Sequence, residues 1–87
     1  MKLYGITPEL KAEALRAQGN CCHACGATDP GPQGWHTDHD HETGEFRAVL
    51  CGYCNLTIGN AKENVARLLG CAAYITDYKT SVLVEIL

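Results

Sequence analysis

Two Cys-x-x-Cys pairs constrain the fold of this chain more than any other feature of its sequence. Cys22 is paired with Cys25 and Cys51 with Cys54, and 25 residues lie between the two pairs. Four thiolates at this spacing suit a closed tetrahedral Zn²⁺ site that holds structure. The gap is slightly longer than in a common zinc ribbon, as expected if a functional hairpin is inserted between two zinc knuckles. We therefore predict one structural zinc bound by these four cysteines.

The length of the chain explains why such a site is needed. The sequence of 87 residues predicts a single domain over 1–87, with a zinc and active-site core at 21–59 and a helical part at 60–87. A domain this small buries only about 60% of its unfolded surface. A structural zinc contributes roughly 10–16 kcal/mol of apparent binding free energy to folding. The hydrophobic content of 46% is that of a globular domain and excludes a disordered tail.

The six cysteines also raise two alternatives, a secreted disulfide scaffold and a redox dithiol. The N-terminus has no apolar signal core and no stretch has transmembrane length, so we expect a cytoplasmic protein with no membrane partner. In a reducing cytosol paired Cys-x-x-Cys motifs indicate metal, and redox motifs rarely occur as two such pairs. Cys21 is an alternative ligand to Cys22, although the two-residue spacing fits the knuckle turn better. Cys71 lies on the apolar side of a predicted helix, where we expect it to be buried.

Local signals predict helices on either side of a hairpin. Thr7, Pro8 and Glu9 are typical of a helix start, and the helix should end at 19–20. A strand is predicted at 35–38.

The second predicted strand starts at Phe46 and leads into Cys51. The two strands together make an antiparallel hairpin with a wide loop. A short helix carrying Asn55 should follow and end at Gly59. Asn60-x-x-Glu63 resembles a capping box and predicts the start of a longer C-terminal helix.

A dense cluster of His and Asp lies between the knuckles. Three His and two Asp occur within six positions: His36, Asp38, His39, Asp40 and His41. A single Asp in a loop is usually a turn former, but this density predicts a catalytic or metal role. Alternate residues of a strand face opposite ways, so Asp38 and His39 would diverge unless the strand ends there, and we place both at the strand–loop boundary. Carboxylate, imidazole and amide groups suit a hard, open site for Mg²⁺ or Mn²⁺.

The stretch D-H-D-H-E-T-G-E-F-R-A-V-L-C-G-Y-C-N, which runs from Asp38 to Asn55, resembles the core of the phage recombination endonuclease VII family. That family belongs to the His-Me finger (ββα-metal, HNH-like) nucleases, and the resemblance covers about 22–59 well. It implies a small α+β fold with a zinc-stapled ββα-metal core and flanking helices. It also implies a metal-dependent DNA endonuclease of a phage-infected or prophage-bearing cell. Such an enzyme hydrolyses phosphodiester bonds to leave 5′-phosphate and 3′-hydroxyl ends, acting on branched DNA or nicking duplex DNA.

The resemblance implies a role for each matching residue. Asp38 and Asn55 would hold one Mg²⁺ or Mn²⁺, and His39 would be the general base. His41 would contact or polarise the phosphate, and Arg47 would steady a backbone phosphate through its planar fork. The four cysteines of the two pairs would bind the structural zinc.

Two residues depart from the family pattern. Ala48 stands where the family has glycine after the arginine, and Ile58 stands where the best-known member has an acidic residue. The long C-terminal extension of that member is also missing, so its junction specificity does not transfer.

The charge balance keeps a second class of function open. Seven basic and ten acidic residues give a net charge of −3, which argues against gripping DNA by bulk charge. The alternative is a non-catalytic zinc-stapled nucleic-acid-binding or adaptor module, and a disulfide-redox protein is a third hypothesis. A binding module requires neither His39 nor Asn55, so these two residues discriminate between the classes.

We also expect a homodimer. The end of the chain is apolar, and an exposed patch of this kind usually marks an interface; its residues are Val82, Leu83, Val84, Ile86 and Leu87. Two-fold pairing would also supply two active sites. The alternative is that 81–87 folds back on its own domain.

Overall fold

The computed structural model describes residues 6–80, and the side chains of 6–77. Along the chain it has the elements α1 (Pro8–Ala17), β1 (His36–His39), β2 (Phe46–Leu50), α2 (Gly52–Asn60) and α3 (Val65–Thr80). Three helices and a two-stranded antiparallel sheet confirm the small α+β class. The chain divides after Thr57 into two compact units, while the prediction of one domain over 1–87 stays a prediction.

The start and end of α1 follow the local signals in the sequence. The Thr7 hydroxyl accepts a hydrogen bond of 3.1 Å from the Leu10 N–H, and Pro8 occupies the first turn, where its missing N–H costs nothing. Gln18 caps the other end, and Gly19 takes a φ of +84°, which glycine adopts without steric cost. The predicted start of this helix is confirmed, and its last helical residue is Ala17, two residues before the predicted end at 19–20.

Gln18 also ties α1 to β2. Its Nε2 donates to the Val49 carbonyl at 3.0 Å and its Oε1 accepts from the Val49 N–H at 2.9 Å, so the side chain acts as a short extra strand partner. The same Nε2 donates to the carbonyl of Cys21 at 3.0 Å. Val49 has no exposed surface, so the amide groups bonded by Gln18 lie away from water.

Replacing Gln18 with Ala should therefore destabilise the fold by about 1–3 kcal/mol, because the buried Val49 N–H loses its partner. Urea denaturation of this variant and of wild type measures the difference. Gln33→Ala is the matched control, since Gln33 is exposed on a loop. Equal midpoints for the Gln18 variant and the control would contradict the role.

The hairpin contains a β-bulge. Asp38 pairs with Ala48 and His39 pairs with Phe46, so Arg47 is the extra residue on β2. β1 runs through His39, one residue beyond the predicted strand, and His39 is the last residue before the loop. His39 lies at the strand–loop boundary as expected, whereas Asp38 lies inside β1 and pairs with Ala48. The bulge falls between these two pairs.

Asp40 organises the loop that joins the strands. Its Oδ1 accepts from the N–H groups of Glu42 and Thr43 at 2.8 and 3.0 Å. The Thr43 and Glu42 N–H groups lower the pKa of the Asp40 carboxyl below its ordinary value of 3.8, against a smaller opposing effect of burial. These hydrogen bonds therefore stabilise the folded state fully when the pH is above the ordinary pKa of Asp40. Their contribution is lost as the pH falls through the lower pKa of the folded state. Asp40 thus has a structural role at the turn.

The second unit begins inside α2. This helix ends at Asn60, and Lys62 and Glu63 follow with φ values of +58° and +56°. The cap of α3 is Asn64, whose Oδ1 accepts from the Arg67 N–H at 2.8 Å. The predicted capping box starting at Asn60 is wrong, because Asn60 still belongs to α2 and the turn after it moves the cap four residues on.

Cys71 is exposed, and the prediction that it is buried is wrong. Large apolar side chains of the same helix are exposed too, among them Val65, Leu69 and Ile75, so apolar spacing along α3 does not bury a residue here. The apolar residues at 81–87 lie outside the described residues. No helix in the described part of the chain combines the length and apolar content that crossing a bilayer requires.

Candidate zinc centre and active site

The four cysteines of the two Cys-x-x-Cys pairs converge. The Sγ atoms of Cys22, Cys25, Cys51 and Cys54 all lie within 4.8 Å of one another. Cys25 and Cys51, from different knuckles, are 3.8 Å apart between sulfurs. Cys22 and Cys51 are buried. The cluster that the spacing predicts is confirmed as a candidate metal site.

Backbone amides point at the sulfurs. The Ala24 N–H lies 3.4 Å from Cys22 Sγ, and the Cys54 N–H lies 3.4 Å from Cys51 Sγ. Burial alone would raise the pKa of the Cys22 thiol, but hydrogen bonds from the Cys25, Cys51 and Ala24 backbone outweigh it and lower this pKa to about 6. Burial and then hydrogen bonds to the neighbouring thiols raise the pKa of Cys54 above its usual range. Four soft sulfurs supported by amide dipoles fit Zn²⁺, which displaces their protons on binding.

Cys21 lies outside the cluster. Its thiol donates to the Gln18 carbonyl at 3.1 Å, at the end of α1. The choice of Cys22 over Cys21 as the ligand is therefore supported by the geometry of the chain. Within the described side chains no second group of three or more Cys, His, Asp or Glu ligand atoms approaches as closely, so Asp38, His39 and His41 form no such group.

Asp38 and Arg47 form an ion pair across the bulge. Arg47 Nε lies 2.6 Å from Asp38 Oδ2 and Arg47 Nη2 lies 3.1 Å from Oδ1, a two-pronged contact. The Asp38 side chain is 12% exposed, so its carboxylate has lost most of its water and needs such a partner. The sequence placed both residues at the site but did not predict their pairing.

The clustered residues lie at different points along the hairpin. His36 and Asp38 are alternate residues of β1, and His39 is the last residue of the strand, beside the bulge. The His39 ring meets the Phe46 ring edge-on, with 6.2 Å between centroids and 71° between planes. His41 is exposed in the loop beyond. The histidines of the cluster are therefore not equivalent.

α2 brings Asn55 to a pocket that it shares with His36. The second knuckle leads directly into this helix, and the Asn55 N–H donates to the Cys51 carbonyl at 3.0 Å. The pocket has a volume of about 240 Å³. It is lined by Pro32, Gln33, His36, Gly52, Tyr53, Asn55 and Leu56. Of the β1 residues, His36 lines this pocket, and Asp38 is not among the lining residues.

Sequence reasoning missed two residues near this site. Nothing in the sequence position of Gln18 signals a tertiary hydrogen bond. Tyr53 lies between the last two cysteines, and 66% of its surface is exposed beside the pocket. An aromatic residue inside a metal knuckle was the available signal.

The fold is a small α+β domain with a polar hairpin and four clustered cysteines that could hold zinc. A sequence profile described as Recombination endonuclease VII matches residues 1–77. The chain belongs to the recombination endonuclease VII family.

Two relatives come from mycobacterial phages. The Gene 59 protein of Mycobacterium phage L5 is 36% identical over 61 residues, which cover 69% of this chain and 37% of that protein. The Gene 59 protein of Mycobacterium phage D29 is 34% identical over 73 residues, covering 83% of this chain and 44% of that protein. The chain thus spans less than half the length of these relatives. No solved structure matches the chain.

Proposed function

We propose that this protein is a metal-dependent DNA endonuclease with a His-Me finger (HNH-like) site built on a zinc-stapled hairpin and helix. The observation that carries the proposal is the bulge in β2. Its extra residue, Arg47, forms a side-chain ion pair with Asp38, the residue directly before His39. β-Bulges are over-represented beside active sites. Membership of the endonuclease VII family supports the same reaction class.

His39 acts as the general base in this proposal. Its imidazole accepts a proton from water as the water oxygen attacks the scissile phosphorus. The bond from phosphorus to the 3′ oxygen breaks, and that oxygen leaves as a hydroxyl after taking a proton from solvent. The products carry a 5′-phosphate and a 3′-hydroxyl. His41, exposed in the next loop, contacts the phosphate.

Asp38 and Asn55 hold Mg²⁺ or Mn²⁺ in the proposed site. Carboxylate and amide oxygens are ligands that both cations accept, and the two residues come from β1 and α2. The bound cation supplies Lewis-acid stabilisation of phosphate charge. Each Asp38 oxygen keeps a second lone pair when it accepts from Arg47, so the ion pair and metal ligation are compatible. Arg47 orients the carboxylate through this ion pair and would also contact a backbone phosphate.

Cleavage assays test the proposal directly. Purified protein is incubated with plasmid and with a four-way junction, in Mg²⁺, in Mn²⁺ and in EDTA, with zinc content measured in each sample. Cleavage that requires added Mg²⁺ or Mn²⁺ while zinc stays bound supports the proposal. Absence of cleavage under every condition, with DNA binding retained, would favour the non-catalytic binding module that the net charge of −3 also allows.

Asn55 gives a sharper prediction. Asn55→Ala should abolish most cleavage by removing a metal ligand, whereas Asn55→Asp should retain part of it, because a carboxylate also binds Mg²⁺. Titration of Mn²⁺ followed by its paramagnetic effect on water relaxation reports metal binding without relying on activity. An alanine variant that binds Mn²⁺ like wild type would show that Asn55 is not a ligand.

We also propose a homodimer in the cytoplasm of a phage-infected or prophage-bearing cell. Exposed apolar side chains on α3, such as Val65 and Leu69 at 68% and 65% exposure, add to the apolar residues at 81–87. Light scattering of the full chain and of a version ending at Lys79 measures the assembly. A monomeric full chain at tens of micromolar would exclude the dimer.

A further inference from the structure

One wall of the pocket beside Asn55 is a loop held in place by backbone hydrogen bonds within the chain. The Gly52 N–H at the start of α2 donates to the Pro30 carbonyl at 2.9 Å, which fastens the preceding loop to the helix. The Gly31 N–H donates to Asp29 Oδ1 at 2.9 Å, and the Gly34 N–H donates to the Gly31 carbonyl at 3.1 Å. The loop at 29–34 therefore forms a defined wall of the pocket.

Tyr53 forms an aromatic platform at this wall. Gly31 has a φ of +90°, and a Cβ placed on it would lie 3.0 Å from Tyr53 Cε2. Glycine thus allows the loop backbone to press against the ring edge and limit its motion. Because 66% of Tyr53 remains exposed, most of the ring stays open to a ligand.

The residues that line the pocket suit a ligand that is uncharged and planar. None of the seven lining residues is Asp, Glu, Lys or Arg. The polar side-chain groups are the Tyr53 hydroxyl, the His36 imidazole and the Gln33 and Asn55 carboxamides. Hydrogen-bonding side chains beside an exposed ring match a nucleobase, which has an apolar face and a polar edge. The volume of about 240 Å³ is below the roughly 300–1,000 Å³ of a drug-sized pocket, which suits a single ring system.

We propose that this pocket receives one nucleobase, stacked on Tyr53. The base belongs to a nucleotide next to the scissile phosphate. The position of the phosphate rests on the proposed function. A base inside a duplex has both faces covered by its neighbours, so it cannot stack on Tyr53 without leaving the helix. The pocket therefore favours DNA with an unpaired nucleotide beside the scissile phosphate.

Fluorescence anisotropy of a labelled oligonucleotide tests the pocket. The full chain, without added Mg²⁺ or Mn²⁺, is titrated into the single strand and into the blunt duplex of the same sequence. Tyr53→Leu should weaken single-strand binding by about 5- to 150-fold, the loss expected for one base–aromatic stack, with little effect on the duplex. Tyr53→Phe keeps the ring and should bind like wild type.

Tyr74→Leu is the matched control, since Tyr74 is 71% exposed on α3 outside the pocket. Zinc content and melting temperature establish that each variant is folded. Equal losses for Tyr53→Leu and Tyr74→Leu, or an equal loss on duplex and single strand, overturn the pocket. A protein that cleaves no DNA but shows the Tyr53-specific loss retains the base pocket and refutes the nuclease, so the two failures are distinguishable.

Discussion

Replacing His39 with Ala is expected to slow DNA cleavage by about 10²–10⁴-fold, the usual effect of losing a general base. The side chain lies at the end of β1, directly after Asp38, and its described ring contact is the edge-on approach to Phe46. Because the His39 residue is only half-buried, its truncation should leave the zinc cluster and the hairpin in place. The loss should therefore appear in the rate of the chemical step rather than in the stability of the fold.

Single-turnover cleavage of a nicked or branched substrate measures that step. His23→Ala is the control, because His23 is an exposed histidine in the first knuckle loop with no proposed catalytic role. Free imidazole added to His39→Ala should restore part of the rate by replacing the missing proton acceptor, and it should not accelerate wild type. Wild-type cleavage by the His39 variant would mean that the base is another residue.

The accuracy of the sequence predictions depended on the range of the interactions involved. The cap of α1 at Thr7 depends on residues within one turn, and the knuckles depend on a two-residue spacing, so both were predictable from local pattern. The convergence of Cys25 and Cys51 followed from the chemistry of the metal that four thiolates bind. These parts of the fold depend on residues close together in the sequence or on one metal ion that all four cysteines would bind.

The missed features depend on contacts between distant residues. The bulge at Arg47 is a mismatch of register between two strands, and no local signal at Arg47 distinguishes a bulged from a paired residue. The bond from Gln18 to Val49 joins residues 31 positions apart. The capping-box error has a similar cause. Asn60 and Asn64 both precede a helical sequence, and which of them caps α3 depends on how far α2 extends.

The candidate active site was predicted by resemblance more than by geometry. Density of His and Asp between two knuckles indicated a site, but roles for His39 and Asn55 came from the family pattern. Of the five clustered residues, Asp40 has a loop-forming role in the structure. The cluster therefore combines structural and candidate catalytic residues, which composition alone does not separate.

The largest effect on stability is expected from the zinc ligands. Cys25→Ser or Cys54→Ser should unfold or aggregate the protein, because structural zinc contributes roughly 10–16 kcal/mol of apparent binding free energy and the net stability of a domain is only about 5–15 kcal/mol. In the described chain the fully buried apolar side chains are few, and two of them, Cys22 and Cys51, are themselves in the cluster. The remaining buried side chains of β2, chiefly Val49 and Leu50, are too few to hold the unit together without the metal.

Circular dichroism, size-exclusion chromatography and zinc content measured by mass spectrometry test this expectation together. One equivalent of zinc should co-purify with wild type and with Cys71→Ser, the matched control at an exposed cysteine. Cys21→Ser is a closer control, because its thiol bonds the Gln18 carbonyl and lies outside the cluster, so it should keep its zinc and lose at most a hydrogen bond of about 1 kcal/mol. The argument fails if wild type remains well folded after complete removal of zinc, because the hairpin and α2 would then be held by packing alone.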